Sequence, residues 1–177
     1  MWSAASKANA KPAHHRQPER EKRGKRGFHD PHGYDAGKKI KGKKRHILVD
    51  TLGLLLQAIV HTADIQDRDG AALVLTKKTR ALFPFILRIF ADAGYQGPRV
   101  ALAATNSGSW TVDIVRRCDS ANGFSVLPKR WIVERTIAWL NRCRRLAKDW
   151  ERFNRKGLAF LRLASIRLML RRLCNPP

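Results

Sequence analysis

Two apolar runs lie almost end to end in this chain, His46 to Asp50 (HILVD) and Leu54 to His61 (LLLQAIVH), separated only by Thr51-Leu52-Gly53. Neither run alternates apolar with polar residues, so neither can leave one face in water. Their lengths suit strands and the break between them suits a tight turn, which predicts an antiparallel hairpin. A hairpin of this composition must be covered on both faces, and the rest of the chain has to supply the covers.

Helical periodicity supplies them. Wound at about 100° per residue, Lys129 to Trp150 (KRWIVERTIAWLNRCRRLAKDW) places Ile132, Val133, Ile137, Trp139, Leu140, Cys143, Leu146 and Ala147 on one broad face. Glu134, Asn141, Arg145 and Lys148 fall opposite, and the positions three and four after Glu134 are Ile137 and Ala138, so no basic residue follows to pair with it. Such a glutamate is most often a solvated surface residue; the sharper reading is a metal-binding carboxylate among phosphate-binding cations. Upstream, Asp64 to Asp69 predicts a helix start, capped by Asp67 or Asp69, burying Ala71, Leu73, Val74, Leu75 and Leu82 before Pro84 stops it. Phe85 to Ala91 reads as a strand ending at Asp92, Pro98 to Thr105 as a helix, and Thr111 to Arg116 and Phe124 to Leu127 as further strands. A last helix, Gly157 to Cys174, carries an arginine edge.

The charge balance narrows the partner. With 36 Lys plus Arg against 14 Asp plus Glu, the net charge is +22 and the pI near 11.2, an excess that points to a polyanion, most simply nucleic acid. Basic residues occupy every segment rather than one amphipathic arm, which argues against a membrane surface. The apolar stretch Leu158 to Leu173 is interrupted by Arg162, Arg167, Arg171 and Arg172, and the N-terminus has no uninterrupted apolar segment, so a soluble, internal protein is expected. Cys118, Cys143 and Cys174 have no CxxC spacing and read as reduced thiols. Residues 1–32 are nearly free of large apolar side chains and predict a disordered basic arm, in which His14, His15, His29 and His32 lack a regular ligand pattern. Gly33 to His46 (GYDAGKKIKGKKRH) reads as a surface loop or phosphate-tracking turn, with Lys38, Lys39, Lys41, Lys43, Lys44 and Arg45 as DNA-binding candidates. Trp139 is assigned to core packing, while Trp131 and Trp150 are open to base stacking.

The element order predicts an α/β protein, with Asp92 where open α/β sheets place their sites and Gly94 letting the chain bend away from it. Two carboxylates on separate elements in so basic a chain suit metal-assisted phosphodiester chemistry. The segments GYDAGKKIKGKKRHILVDTLGLLL, VHTADIQDRDGA, FADAGYQG and LPKRWIVERTIAWLNRCRRLAKDWER together resemble the catalytic domain of bacterial insertion-sequence transposases of the DDE class, over Gly33 to Arg152.

That resemblance implies an RNase H-like mixed sheet flanked by helices, and DNA transposition by nicking at transposon ends followed by strand transfer. It implies Mg²⁺ or Mn²⁺ held by two aspartates and a glutamate; the second aspartate falls on Asp92, the glutamate on Glu134 and a phosphate-contacting arginine on Arg130. Where relatives carry a tyrosine and a further basic residue this chain has Leu127 and Asn141, with Arg142 and Arg145 close enough to serve as DNA contacts. The family's first aspartate has no counterpart in residues 1–32, and Asp35 and Asp50 match other family positions.

The expectation is therefore a sheet lacking its first strand, with a basic arm over 1–32, a partial catalytic domain over 33–155 and a packed helix over 156–177. The partners implied are double-stranded DNA, as terminal inverted repeats and target, and a second copy or a full-length transposase, in a bacterial cytoplasm at the nucleoid. An active enzyme would need Asp35 or Asp50 as third ligand. A non-catalytic DNA-binding remnant and a basic RNA-associated protein are the competing readings.

Overall fold

A computed structural model describes residues 2–8, 30–108, 110–116 and 129–175. In chain order its elements are β1 (Trp2–Ala8), β2 (Gly33–Asp35), β3 (Ile40–Val49), β4 (Leu55–Thr62), α1 (Asp67–Val74), α2 (Lys77–Leu82), β5 (Arg88–Asp92), α3 (Pro98–Gly108), β6 (Thr111–Val115), α4 (Arg130–Asn141) and α5 (Asn154–Cys174). The strands form a mixed sheet of order β2-β3-β1-β5-β6, with β4 also paired to β3, flanked by helices as an RNase H-like fold requires.

The expected hairpin is β3 and β4, antiparallel, with a register shift at Leu48/Val49. Its turn is made by Asp50, whose Oδ1 accepts from the amides of Leu52 and Leu54 at 2.9 and 2.7 Å, and by Gly53 at φ +83°. The unbroken apolar run has a direct explanation. Ile47 and Val49 enter a core with Val133, Leu140, Leu146 and Leu161, whereas Leu48, between them, enters a second core with Val74, Ile86, Ile89, Tyr95 and Trp110. Each face of β3 has its own hydrophobic layer.

Four sequence expectations are corrected. The first strand is present: Trp2–Ala8 lies between β3 and β5, antiparallel to the former and parallel to the latter. The segment WSAASKA has almost no apolar signal, so only the unpaired backbone edges of its neighbours specify it as a strand. A disordered arm over all of 1–32 is thereby excluded for these residues, and 9–29 lie outside the described residues. At the arm's end, the Asp30 carboxylate accepts the Asn154 amide at 2.6 Å, tying the entry to β2 to the start of α5.

The stretch Gly33 to His46 is no surface loop. β2 folds back on β3 as a hairpin whose turn is closed by the Lys38 amide donating to Asp35 Oδ1 at 3.0 Å. The single helix expected before Pro84 is two, because Thr76 interrupts it and caps α2 by accepting from the Thr79 amide at 3.2 Å. The helix expected through Trp150 ends at Asn141. Tight turns follow, with Arg45 Nη1 donating to the Leu146 carbonyl at 2.8 Å and Leu146 only 1% exposed; tertiary anchoring overrides the helical pattern.

The strands β5 and β6 and the helices α3 and α5 stand close to their expected places. Phe124 to Leu127 lies outside the described residues. No helix among the described residues is long and apolar enough to cross a membrane.

Candidate active site

β5 delivers Asp92 to the carboxyl end of the parallel strands, where the chain leaves the sheet through a 3-10 turn over Ala93–Tyr95. Asp92 Oδ1 accepts the Gly94 amide at 3.0 Å, which fixes the carboxylate at the strand's exit. Burial raises its pKa above the ordinary aspartate value, against the pull of the Gly94 amide and the Arg130 guanidinium, while the Asp67 carboxylate adds to the rise.

Glu134, on α4, has a basic partner after all, one turn back rather than forward. Arg130 Nε lies 3.2 Å from Glu134 Oε1, and both side chains are exposed. Arg130 thus stands between the two predicted carboxylates: it pairs with Glu134 and acts electrostatically on Asp92.

A third carboxylate, Asp67, which the sequence pattern marks only as a helix cap, lies beside Asp92. Asp67 does not cap α1, whose cap position is Gln66 with no side-chain hydrogen bond. It lies 3.3 Å from Lys38 Nζ and 3.2 Å from Lys44 Nζ, beside Asp92. Lys44 is only 3% exposed, and its ammonium also meets Asp35 at 2.8 Å and the Ile65 carbonyl at 2.8 Å. Burial pulls the Lys44 pKa down, but hydrogen bonding and charge from Asp35 and Asp67 more than offset it and the net shift is upward. The Lys44 hydrogen bond in turn lowers the pKa of Asp35. No one-dimensional signal joins Asp35, Lys44, Asp67 and Asp92.

The basic candidates divide by where their charge ends. Lys43 is buried and donates to the carbonyls of Glu151 and Arg152 at 2.9 and 3.0 Å. Lys44 is committed as above, and Arg45 donates to Leu146, its pKa lowered by burial. As DNA contacts these three are corrected, because the backbone carbonyls of Glu151, Arg152, Ile65 and Leu146, on the segments covering both faces of β3, hold their charged ends. Lys38, Lys39 and Lys41 are exposed on the β2–β3 hairpin. Arg145 pairs with Glu151 at 2.6 Å, and Arg142 is exposed beside α5.

Neither proposed substitute for the missing aspartate is placed to act as one. Asp50 is used inside its own turn, and Asp35 is paired with Lys44. Among the described residues no group of three or more His, Cys, Asp or Glu could hold a metal ion. The donor chemistry agrees: Asp67 is claimed by two lysines, Glu134 by Arg130, and β1, next to β5, contains no acidic residue. As arranged, these residues do not fit a divalent ion. His32 stands 3.5 Å from Asp149, and the other histidines of the N-terminal segment lie outside the described residues.

Comparison with known proteins places the sequence in a family. The family described as Transposase DDE domain matches residues 11–169. A protein from Burkholderia cepacia titled "Putative transposase for insertion sequence element IS402" is 34% identical over 128 residues, covering 69% of this chain. The chain spans 60% of the length of that relative. No solved structure matches. A family match over most of the chain, together with a relative 34% identical over 69% of it, leads to one conclusion: the chain belongs to the transposase DDE domain family.

Proposed function

We propose that the chain acts in DNA transposition, engaging the phosphodiester backbone of transposon ends and target DNA, with its own strand cleavage impaired. The observation that carries this reading is β1, the strand beside β5, whose sequence WSAASKA offers no carboxylate. A divalent ion, were one held here, would supply activation of the attacking oxygen and stabilisation of the leaving one. Asp92 and Glu134 supply only part of what such an ion needs. Arg130, once released from Glu134, orients a phosphate beside Asp92, and Lys38, Lys39 and Lys41 provide exposed counter-charge on the neighbouring hairpin.

A second reading, a non-catalytic DNA-binding remnant that modulates a full-length transposase, draws on the same missing carboxylate and on Asp67 being neutralised by lysine.

The register of β1 on β5 provides the test. Ala4 pairs with Ala91, and continuing that register sets Ala5 level with Asp92. Nicking of a supercoiled plasmid carrying terminal repeats is measured in Mn²⁺ for the chain as it stands, Asp92→Ala, Glu134→Ala, Ala5→Asp and Ala5→Asp with Asp92→Ala. Impaired catalysis predicts weak or no nicking by the unaltered chain, a gain of about tenfold or more on Ala5→Asp, and its loss when Asp92 is also removed. Vigorous nicking by the unaltered chain that Asp92→Ala abolishes would overturn the impairment. Nicking indifferent to both carboxylates would overturn the site.

A further inference from the structure

Away from the carboxylate site, α4 and α5 leave between them an open groove of about 690 Å³ whose apolar floor includes Ala164 and Leu168. Arg142 enters it from the α4 side, and Arg167, Arg171 and Arg172 from α5. None of the residues lining it is acidic. Arg142, Arg167 and Arg171 are exposed, and the last two lie one helical turn apart on the same face.

Two guanidiniums pack against the wall of this groove. Arg135 and Arg172 place their guanidinium carbons 4.7 Å from the Trp139 ring centroid, and both donate to the Leu52 carbonyl, at 3.1 and 2.7 Å. Two like charges therefore share one acceptor beside one ring. Burial, and after it the Arg172 charge, lowers the Arg135 pKa; Asp50 pulls the other way. A single carbonyl and a ring quadrupole leave much of this positive potential uncompensated.

We infer that the α4–α5 groove, walled by Trp139 and Arg172 and rimmed by Arg142, Arg167 and Arg171, is a second DNA-binding surface that takes the phosphate backbone of a duplex without reading its sequence. Charge complementarity selects the occupant. Guanidiniums match phosphate oxygens in a planar fork, stacking on Trp139 reduces the entropy lost on binding, and the side-chain amide in the lining, Asn175, is turned to the Arg171 carbonyl, to which its Nδ2 donates at 3.3 Å. The groove contains neither Asp92 nor Glu134, so it binds whether or not the carboxylate site is active.

The test is a salt titration with the full chain. Fluorescence anisotropy follows binding to a duplex of arbitrary sequence from low to moderate KCl, for the unaltered chain, Arg167→Gln/Arg171→Gln and Arg167→Lys/Arg171→Lys. Because each lost phosphate contact removes about 0.9 from the slope of log K against log salt, the glutamine pair should reduce its magnitude by about 2, and the lysine pair should keep it. The thermal midpoint of each variant shows that the fold is intact. An unchanged slope in the glutamine variant would overturn the inference, as would preference for a single-stranded RNA or an acidic peptide in direct competition with the duplex. Nicking does not enter this measurement, so failure of the carboxylate reading leaves its outcome unaffected.

Discussion

Asp67 and Asp92 converge on Gly94 from two different elements: a methyl group built on Gly94 would lie 3.2 Å from Asp67 Oδ2 and 3.1 Å from Asp92 Oδ1. Two carboxylates this near one another are unequal in environment. Asp67 meets two ammonium groups, whereas Asp92 is raised by burial, with a backbone amide and the charges of Arg130 and Lys38 in opposition.

This inequality predicts opposite stability effects. A carboxyl whose folded pKa is raised is bound more tightly by protons in the fold, so its ionised form opposes folding at neutral pH. Asp92→Asn keeps the acceptor for the Gly94 amide and removes that charge, and should leave the thermal midpoint unchanged or higher at pH 7. Asp67→Asn strips a counter-charge from buried Lys44 and should cost about 1–3 kcal/mol. Urea unfolding of the two variants checks the pair, and equal destabilisation would contradict it.

His46 predicts an acid dependence. Its Nδ1 lies 2.6 Å from the Tyr95 hydroxyl, its ring stacks on His61 at 4.6 Å, and burial, then the His61 charge, lowers its pKa to about 3. The unfolded state takes up this proton near the ordinary value of 6.5 and the folded state only near 3, so stability falls as pH drops between them. The slope from His46 alone is about 1.4 kcal/mol per pH unit, and His61, also lowered by burial, adds to it. Chemical unfolding at pH 7 and 5 should show the loss; a flat profile would refute a neutral buried pair.

Gly70 predicts a helix position where alanine is harmful. Intrinsic propensity favours Gly→Ala inside a helix by up to about 1 kcal/mol. Here the added carbon would stand 2.3 Å from His46 Nε2, with the ring wedged between α1 and β3. Overpacking of that kind costs about 1–3 kcal/mol, so the sum is destabilising. A higher melting temperature for Gly70→Ala would show that the ring can move aside.

Gly53 predicts the anchoring of α4. Thr136, only 1% exposed, donates its hydroxyl to the Gly53 carbonyl at 2.8 Å, and a methyl group on Gly53 would lie 2.5 Å from that hydroxyl oxygen, at a φ of +83° that already disfavours a side chain. Thr136→Val, which leaves a buried carbonyl without this donor, should cost about 1–3 kcal/mol, and Gly53→Ala more. Urea unfolding of the two variants checks the order, and a Gly53→Ala variant as stable as the unaltered chain would contradict it.

Features that one segment can encode were legible along the chain. The apolar runs His46–Asp50 and Leu54–His61 specified a two-sided hairpin, the amphipathic stretch from Lys129 specified α4, and Asp92 within FADAGYQG specified the exit of β5. Features that depend on distant neighbours appear only in the folded chain. WSAASKA becomes a central strand because β3 and β5 present unpaired edges to it, not because its side chains demand it. Lys43, Lys44 and Arg45 look identical in sequence to the exposed lysines around them, yet β3 turns them toward carbonyls of segments about 20 to 110 residues away. Asp67 meets Asp92, and Arg172 meets Trp139, only once helices and strands are stacked. Local periodicity carries the pattern of burial, whereas the partner of a buried charge is set by through-space distance, which no single stretch of chain contains.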